Sequence, residues 1–168
     1  MIIRVETPDD HESVHRVNEL AFPTPGEADL VDALRKTAHP YISLVAIDED
    51  QVVGHILFSP VSIESATDSF TAMGLAPMAV LPGHQRRGIG TLLVREGLQE
   101  CRRIGHDVVV VLGHSEYYPR FGFVRASSKG LRSEYDVADE VFMVAELTTG
   151  ALKGRTGLVK YHPEFNVF

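Results

Sequence analysis

A single cysteine and no tryptophan occur in a chain of 168 residues. One cysteine permits no internal disulfide, so the fold must rest on its apolar core, and a reducing cytoplasm is the expected setting. No apolar run approaches the roughly 20 residues needed to span a bilayer. The opening Met1-Ile2-Ile3-Arg4-Val5-Glu6 meets charge too early for a signal peptide. An excess of positive charge is lacking as well. The balance is -7 at pH 7, which argues against a nucleic-acid backbone as the main partner. That acidity is compatible with a cationic acceptor such as an amine, although solubility alone accounts for it more simply. There is no internal repeat and no low-complexity stretch. What is present is 44% hydrophobic residues, enough for a packed core, in a length that fits one domain spanning 1–168.

The apolar patterning alternates strands and helices. Ile2 to Val5 reads as a strand. Thr7-Pro8-Asp9-Asp10 then starts a helix, with Thr7 as N-cap, Pro8 in the first position and Asp10 in the capping-box place. A second helix is expected at about Gly26 to Thr37. Ile42 to Ile47 and Gln51 to Ser65 read as strands joined by a turn at Asp48-Glu49-Asp50, the second broken near Pro60. Residues 70–81 form the next strand. The helix from Gly88 to Ile104 places Ile89, Leu93, Val94, Gly97, Leu98, Cys101 and Ile104 on one half of its wheel, and Gly105 ends it. Val108 to Leu112 is an uninterrupted apolar run, as in a strand covered on both faces. Strand, helix and strand in this order predict a parallel pair with a right-handed crossover. A helical turn near Ser115 to Arg120 and strands near 122–126 and 141–147 complete the pattern. The tail from Thr148 is less regular, and its Phe165 and Phe168 are expected to pack back onto the domain.

The most informative stretch is Gln85-Arg86-Arg87-Gly88-Ile89-Gly90-Thr91, which links the strand at 70–81 to the long helix. A helix N-terminus presents N–H groups without intrahelical partners and carries partial positive charge. Gly88 and Gly90 let the backbone approach a ligand, and Arg86 and Arg87 add full charges. A phosphate or pyrophosphate is the implied ligand. A P-loop would need Lys-Ser/Thr after its second glycine, where Thr91-Leu92 stands here. A dinucleotide fingerprint would need a third glycine or alanine where Leu93 stands, and a later acidic residue that is absent.

The remaining pattern, Gln-x-x-Gly-x-Gly, resembles the acetyl-CoA pyrophosphate loop of the GNAT N-acetyltransferase superfamily. Met78-Ala79-Val80-Leu81-Pro82 looks like the strand of that family that lies along the pantetheine arm. Tyr118-Pro119-Arg120-Phe121-Gly122-Phe123 is similar to the family's Tyr-x-x-x-Gly-Phe. Order and spacing match over 74–123. Gly113-His114-Ser115-Glu116-Tyr117-Tyr118 and Tyr161-His162-Pro163-Glu164-Phe165 resemble a bacterial subgroup of the superfamily.

The resemblance implies an α/β fold with a mixed central sheet of about six or seven strands and about four flanking helices. It implies acetyl-CoA as donor, held by Gln85, Arg86, Arg87, Gly88, Ile89, Gly90 and Thr91, with Gln85 ordering the loop rather than touching ligand. A main-chain N–H within Met78, Ala79 and Val80 would polarise the thioester carbonyl. Tyr118 would be the general acid, with Tyr117 the neighbouring competitor. The implied reaction is direct transfer to a primary amine on a small molecule or peptide, without a covalent intermediate. The asparagine that members often carry before the tyrosine has no counterpart in Gly113 to Glu116. Glu27, His114 and Glu116 are base candidates, and ordered water is the alternative. Many members dimerise, so a homodimer stays open.

Two other readings stand beside this one. A CoA-binding module or sensor without catalysis would keep residues 86–91 but be indifferent to Tyr118. A zinc peptidase is suggested by His11-Glu12-Ser13-Val14-His15, which matches His-Glu-x-x-His. Against it, Val14, Val17 and Ala21 mark the core stripe of that helix, so His11 and His15 are expected to be exposed, and no third ligand follows at the usual distance. No metal is therefore assigned. Cys101 has no polarising neighbour and is expected in the core. His84 lies in the phosphate loop, where solvent contact is the simpler expectation.

Overall fold

The computed structural model describes residues 1–167, which leaves Phe168 outside the described residues. Nine strands form one mixed sheet. In chain order they are β1 (Ile2–Val5), β2 (Ile42–Asp48), β3 (Gln51–Glu64), β4 (Ser69–Val80), β5 (Val108–Leu112), β6 (Val124–Arg125), β7 (Leu131–Ser133), β8 (Phe142–Glu146) and β9 (Gly157–Lys160). Three α-helices pack on them among the described residues: α1 (His11–Ala21), α2 (Gly26–Thr37) and α3 (Ile89–Arg103). The sheet order is β1-β2-β3-β4-β5-β8-β6, and β9 bridges the far end of β3 to β7. The two strands beyond the seven read from the sequence are the short β7 and β9. Single turns of 3-10 helix stand where a fourth helix was expected.

The local signals act as their chemistry requires. Pro8–Asp10 is a 3-10 turn leading into α1, and the Asp10 carboxylate accepts the Thr7 N–H at 2.8 Å. Glu49 and Asp50 both adopt positive φ, forming the tight β2–β3 turn. In β5, Val109 and Val111 enter the core beneath α3, while Val108 and Val110 enter the opposite one. This two-sided burial explains the uninterrupted valine run. Phe165 packs back against the opposite face, beside Tyr161 and the α2 cluster.

Two expectations need correction. β3 is not broken at Pro60. Its pairing with β2 ends at Phe58 and that with β9 begins at Ser62, so Pro60 sits where its missing N–H deprives neither neighbour. Ile104, placed on the apolar half of the α3 wheel, is 40% exposed. It is the C-cap, one residue past the last helical position, Arg103, where the helical period no longer sets the side-chain direction.

β4 and β5 run parallel only over Met73–Leu75 and Val109–Val111. β4 then continues to Val80 along β3, while β5 stops at Leu112. Along β4 the register with β3 shifts, so that Ala76 and Pro77 together oppose Leu57. Such a bulge bends a strand and increases its twist. The two parallel strands part at this point and leave a cleft between them.

Candidate functional site

Two cavities lie along this cleft. The first, of about 450 Å³, is lined by Leu75 to Met78 on β4, by Leu112, Gly113, His114 and Tyr118 after β5, and by the α1–α2 region. The second, of about 410 Å³, is lined by Val80, His84 to Arg86, Gly88 to Thr91, Tyr117 and Arg120. Met78 therefore faces the first cavity and Val80 the second, while Ala79 between them is buried.

The second cavity is built around the start of α3. Arg86 and Gly88 adopt positive φ, at 63° and 82°. Alternating handedness of this kind turns successive backbone N–H groups inward to form a concave anion site. Beyond its immediate chain neighbours, nothing lies within 4 Å of a Cβ built on Gly88, so the backbone there faces open space. Ile89, Gly90 and Thr91 form the first turn of α3, whose N–H groups have no carbonyl four residues back. Gln85 Nε2 donates to the Val80 carbonyl at 3.0 Å, tying the loop to the end of β4. Among the arginines of the motif, Arg86 lines the cavity, and Arg87 is exposed beside it without lining it.

The adjacent tyrosines diverge. Tyr117 turns to the loop, where its hydroxyl lies 3.1 Å from Thr91 Oγ1. Arg120 stacks over the Tyr117 ring at 4.5 Å and brings a further positive charge to the same cavity. Tyr118 turns the other way, into the first cavity, and is 7% exposed. Its ring packs edge-on against Phe123 and covers Gly113 so closely that a Cβ there would overlap it. Burial, aided by the neighbouring Tyr117, pushes the Tyr118 phenol up to about 12, so it stays protonated at neutral pH. Sequence reasoning missed Arg120 and the part of Tyr117 at the loop. The spacing from Tyr117 to Arg120 on one turn was the available signal, but which tyrosine faces which cavity depends on the backbone after β5.

Of the three base candidates, Glu27 and His114 line the first cavity and Glu116 does not. His84 is half-buried and lines the second cavity, and its Nδ1 is shielded from solvent without a hydrogen-bond partner. Cys101 is fully buried, and burial raises its thiol to about 12, which leaves it unreactive.

The histidines of the His-Glu-x-x-His stretch are half-exposed rather than open to solvent, each set against acidic groups. His11 Nε2 lies 3.8 Å from Glu6, and His15 Nδ1 lies 2.8 Å from Asp32. The one group of potential metal ligands among the described residues is His15, Asp29 and Asp32, which includes neither His11 nor Glu12. Asp32 there already accepts a 3.0 Å bond from Arg35. This is not a His-Glu-x-x-His metal set. No described helix is long and apolar enough to cross a membrane.

Comparison with known proteins bears directly on this cleft. The family model for the acetyltransferase (GNAT) domain matches residues 2–126. The uncharacterized N-acetyltransferase YhbS of Escherichia coli K12 is 38% identical over 169 residues, covering 100% of both chains. The crystal structure of YhbS in complex with CoA superimposes with a TM-score of 0.91 at 37% identity, over 98% of this chain and 91% of that one. A GNAT family acetyltransferase from Brucella melitensis, in complex with acetyl-CoA, superimposes with a TM-score of 0.79 at 36% identity, over 98% and 97%. With its sheet parted between β4 and β5 and a glycine-rich loop opening α3 at the end of the cleft, the chain belongs to the GNAT family of N-acetyltransferases.

Proposed function

We propose that the protein transfers an acetyl group from acetyl-CoA directly to a primary amine within one ternary complex. The observation that carries this reading is the pair of cavities along the β4–β5 cleft, one lined by the loop at 85–91 and the other by Tyr118. The complexes of YhbS with CoA and of the Brucella protein with acetyl-CoA support the same donor here.

In this reading the pyrophosphate takes the second cavity. The amides of Gly88 to Thr91 hold it, Arg86 and Arg120 neutralise it, Arg87 attracts it from the rim, and Gln85 fixes the loop. The thioester lies along Met78 to Val80. Beyond the bulge, β4 has no β5 partner, so its outward amides are available to the carbonyl oxygen as it gains charge. A fixed donor of that kind contributes about 3–4 kcal/mol to such a transition state. Tyr118, held neutral by burial, offers its hydrogen bond to the departing sulfur and its proton as charge builds there. The one cysteine of the chain, Cys101, is sealed in the core and supplies no thiolate for a covalent intermediate. We further read the Tyr117–Phe123 and Tyr161–Phe165 phrases as the mark of one bacterial subgroup, acting as a single cytoplasmic domain.

Replacing Tyr118 with phenylalanine tests this. The expected result is a fall in amine-dependent thiol release of about 10²–10⁴-fold, the usual span for general acid catalysis, with acetyl-CoA affinity retained. A variant as fast as the wild type would favour the non-catalytic CoA-binding alternative or another acid.

A further inference from the structure

This inference rests on the acetyl-transfer reading and concerns what meets the thioester from the opposite side. The first cavity is closed there by Phe22, at the end of α1, by Glu27 and Leu30 of α2, and by Phe165 of the tail. Apart from Tyr118 and His114, Glu27 is the one polar side chain in its lining. Glu27 Oε2 is shielded from solvent and accepts no hydrogen bond. A buried carboxylate oxygen without a donor is costly, and Glu27 stands in the first turn of α2 without any amide of that turn reaching the atom. An arriving N–H donor with positive charge would relieve that cost.

We infer that the acceptor is a small primary amine carried on an apolar body, such as an arylalkylamine, with its ammonium held by Glu27 and its hydrocarbon against Phe22, Leu30 and Phe165. Size and polarity both point this way. The cavity of about 450 Å³ must also admit the acetyl thioester, which leaves room for a compact acceptor. A polyhydroxylated amine would bury more hydroxyls than the three polar side chains of the lining, Glu27, His114 and Tyr118, can partner. A polyamine would bury several positive charges against one carboxylate.

The proton balance follows from this placement. Glu27 takes one proton from the ammonium and frees the nitrogen lone pair. Nitrogen attacks the thioester carbonyl carbon, the C–N bond forms and the C–S bond breaks. The second nitrogen proton leaves to water, Tyr118 protonates the sulfur, and Tyr118 is reprotonated from water. Glu27 returns its proton to solvent, so one proton is released per amide and CoA thiol formed.

The test uses the full chain, with acetyl-CoA titrated by calorimetry and thiol release followed with phenethylamine, spermidine and kanamycin. Phenethylamine is expected to exceed the other two in kcat/KM by at least about 100-fold. Glu27→Gln should lower kcat/KM for phenethylamine by about 10²–10⁴-fold with acetyl-CoA affinity unchanged, which also shows that the variant is folded. Phe22→Ala should raise KM for phenethylamine and leave acetyl-CoA affinity as it was. If acetyl-CoA binds but kanamycin or spermidine is preferred, or phenethylamine is not acetylated, or Glu27→Gln is as active as the wild type, this inference falls and the donor reading stands. If acetyl-CoA does not bind, both fall.

Discussion

His55 shows how much one residue can set the pH behaviour of this protein. It is fully buried in β3. Its Nδ1 accepts from Asn18 Nδ2 at 3.1 Å, which leaves Nε2–H to donate to Ser43 Oγ at 2.9 Å. Burial, with the Arg35 charge adding to it, pushes the imidazole down to about 3. The unfolded chain binds a proton near pH 6.5 that the folded chain refuses until about pH 3. Stability is therefore complete above pH 6.5 and declines as the pH falls through that window, by at most roughly 1.4 kcal/mol per pH unit. Urea unfolding at pH 7, 6, 5 and 4 should show this decline in the wild type. A His55→Gln variant should be less stable at pH 7 and show a flatter dependence. An equal slope in both would assign the acid sensitivity elsewhere. The turn residues Gly88 and Gly90 could be read from their place between a strand and a helix, and Tyr118 only through the family resemblance. His55 could not, because a strand histidine looks the same whether its face meets solvent or a buried serine and asparagine.

At the scale of elements, α3 is where pattern and structure agree most closely. Ile89, Leu93, Val94, Gly97 and Cys101 all reach the core as the 3.6-residue period requires. Gly97 has a specific packing reason, since a Cβ there would overlap the Phe58 ring beneath the helix. Gly97→Ala should destabilise the fold by about 1–3 kcal/mol through overpacking, measured by chemical denaturation, and a neutral or stabilising result would mean that the helix can lift freely. The bulge at Ala76–Pro77 could not be read in the sequence, because a bulged and a regular buried strand share one side-chain pattern. β7 and β9 were hard to read for another reason. They are three and four residues long, too short for a period of two to stand out from the glycine-rich, polar chain around them. The opposing faces of Tyr117 and Tyr118 belong to the same class of feature, being set by how the chain turns after β5.

For the whole molecule, the central claim is that the parting of β4 from β5 makes one continuous cleft that takes acetyl-CoA, with its phosphates at the start of α3. Two independent features support the phosphate end lying there. The Gly88 backbone faces open space, and Arg86 and Arg120 line the same cavity from opposite elements. The fold class and this loop could be read in the chain, because a strand, a glycine-rich turn and an amphipathic helix are local features. The far wall of the cleft could not, because Phe22, Glu27 and Phe165 converge from separate parts of the chain. The most direct test is calorimetric titration of the protein with acetyl-CoA, with ATP and NAD as controls and Gly88→Glu as the variant. The account predicts micromolar binding of acetyl-CoA, little for the other two nucleotides, and loss of binding when a carboxylate is placed in the phosphate cavity. Equal affinity for all three, or acetyl-CoA binding undisturbed by Gly88→Glu, would contradict it.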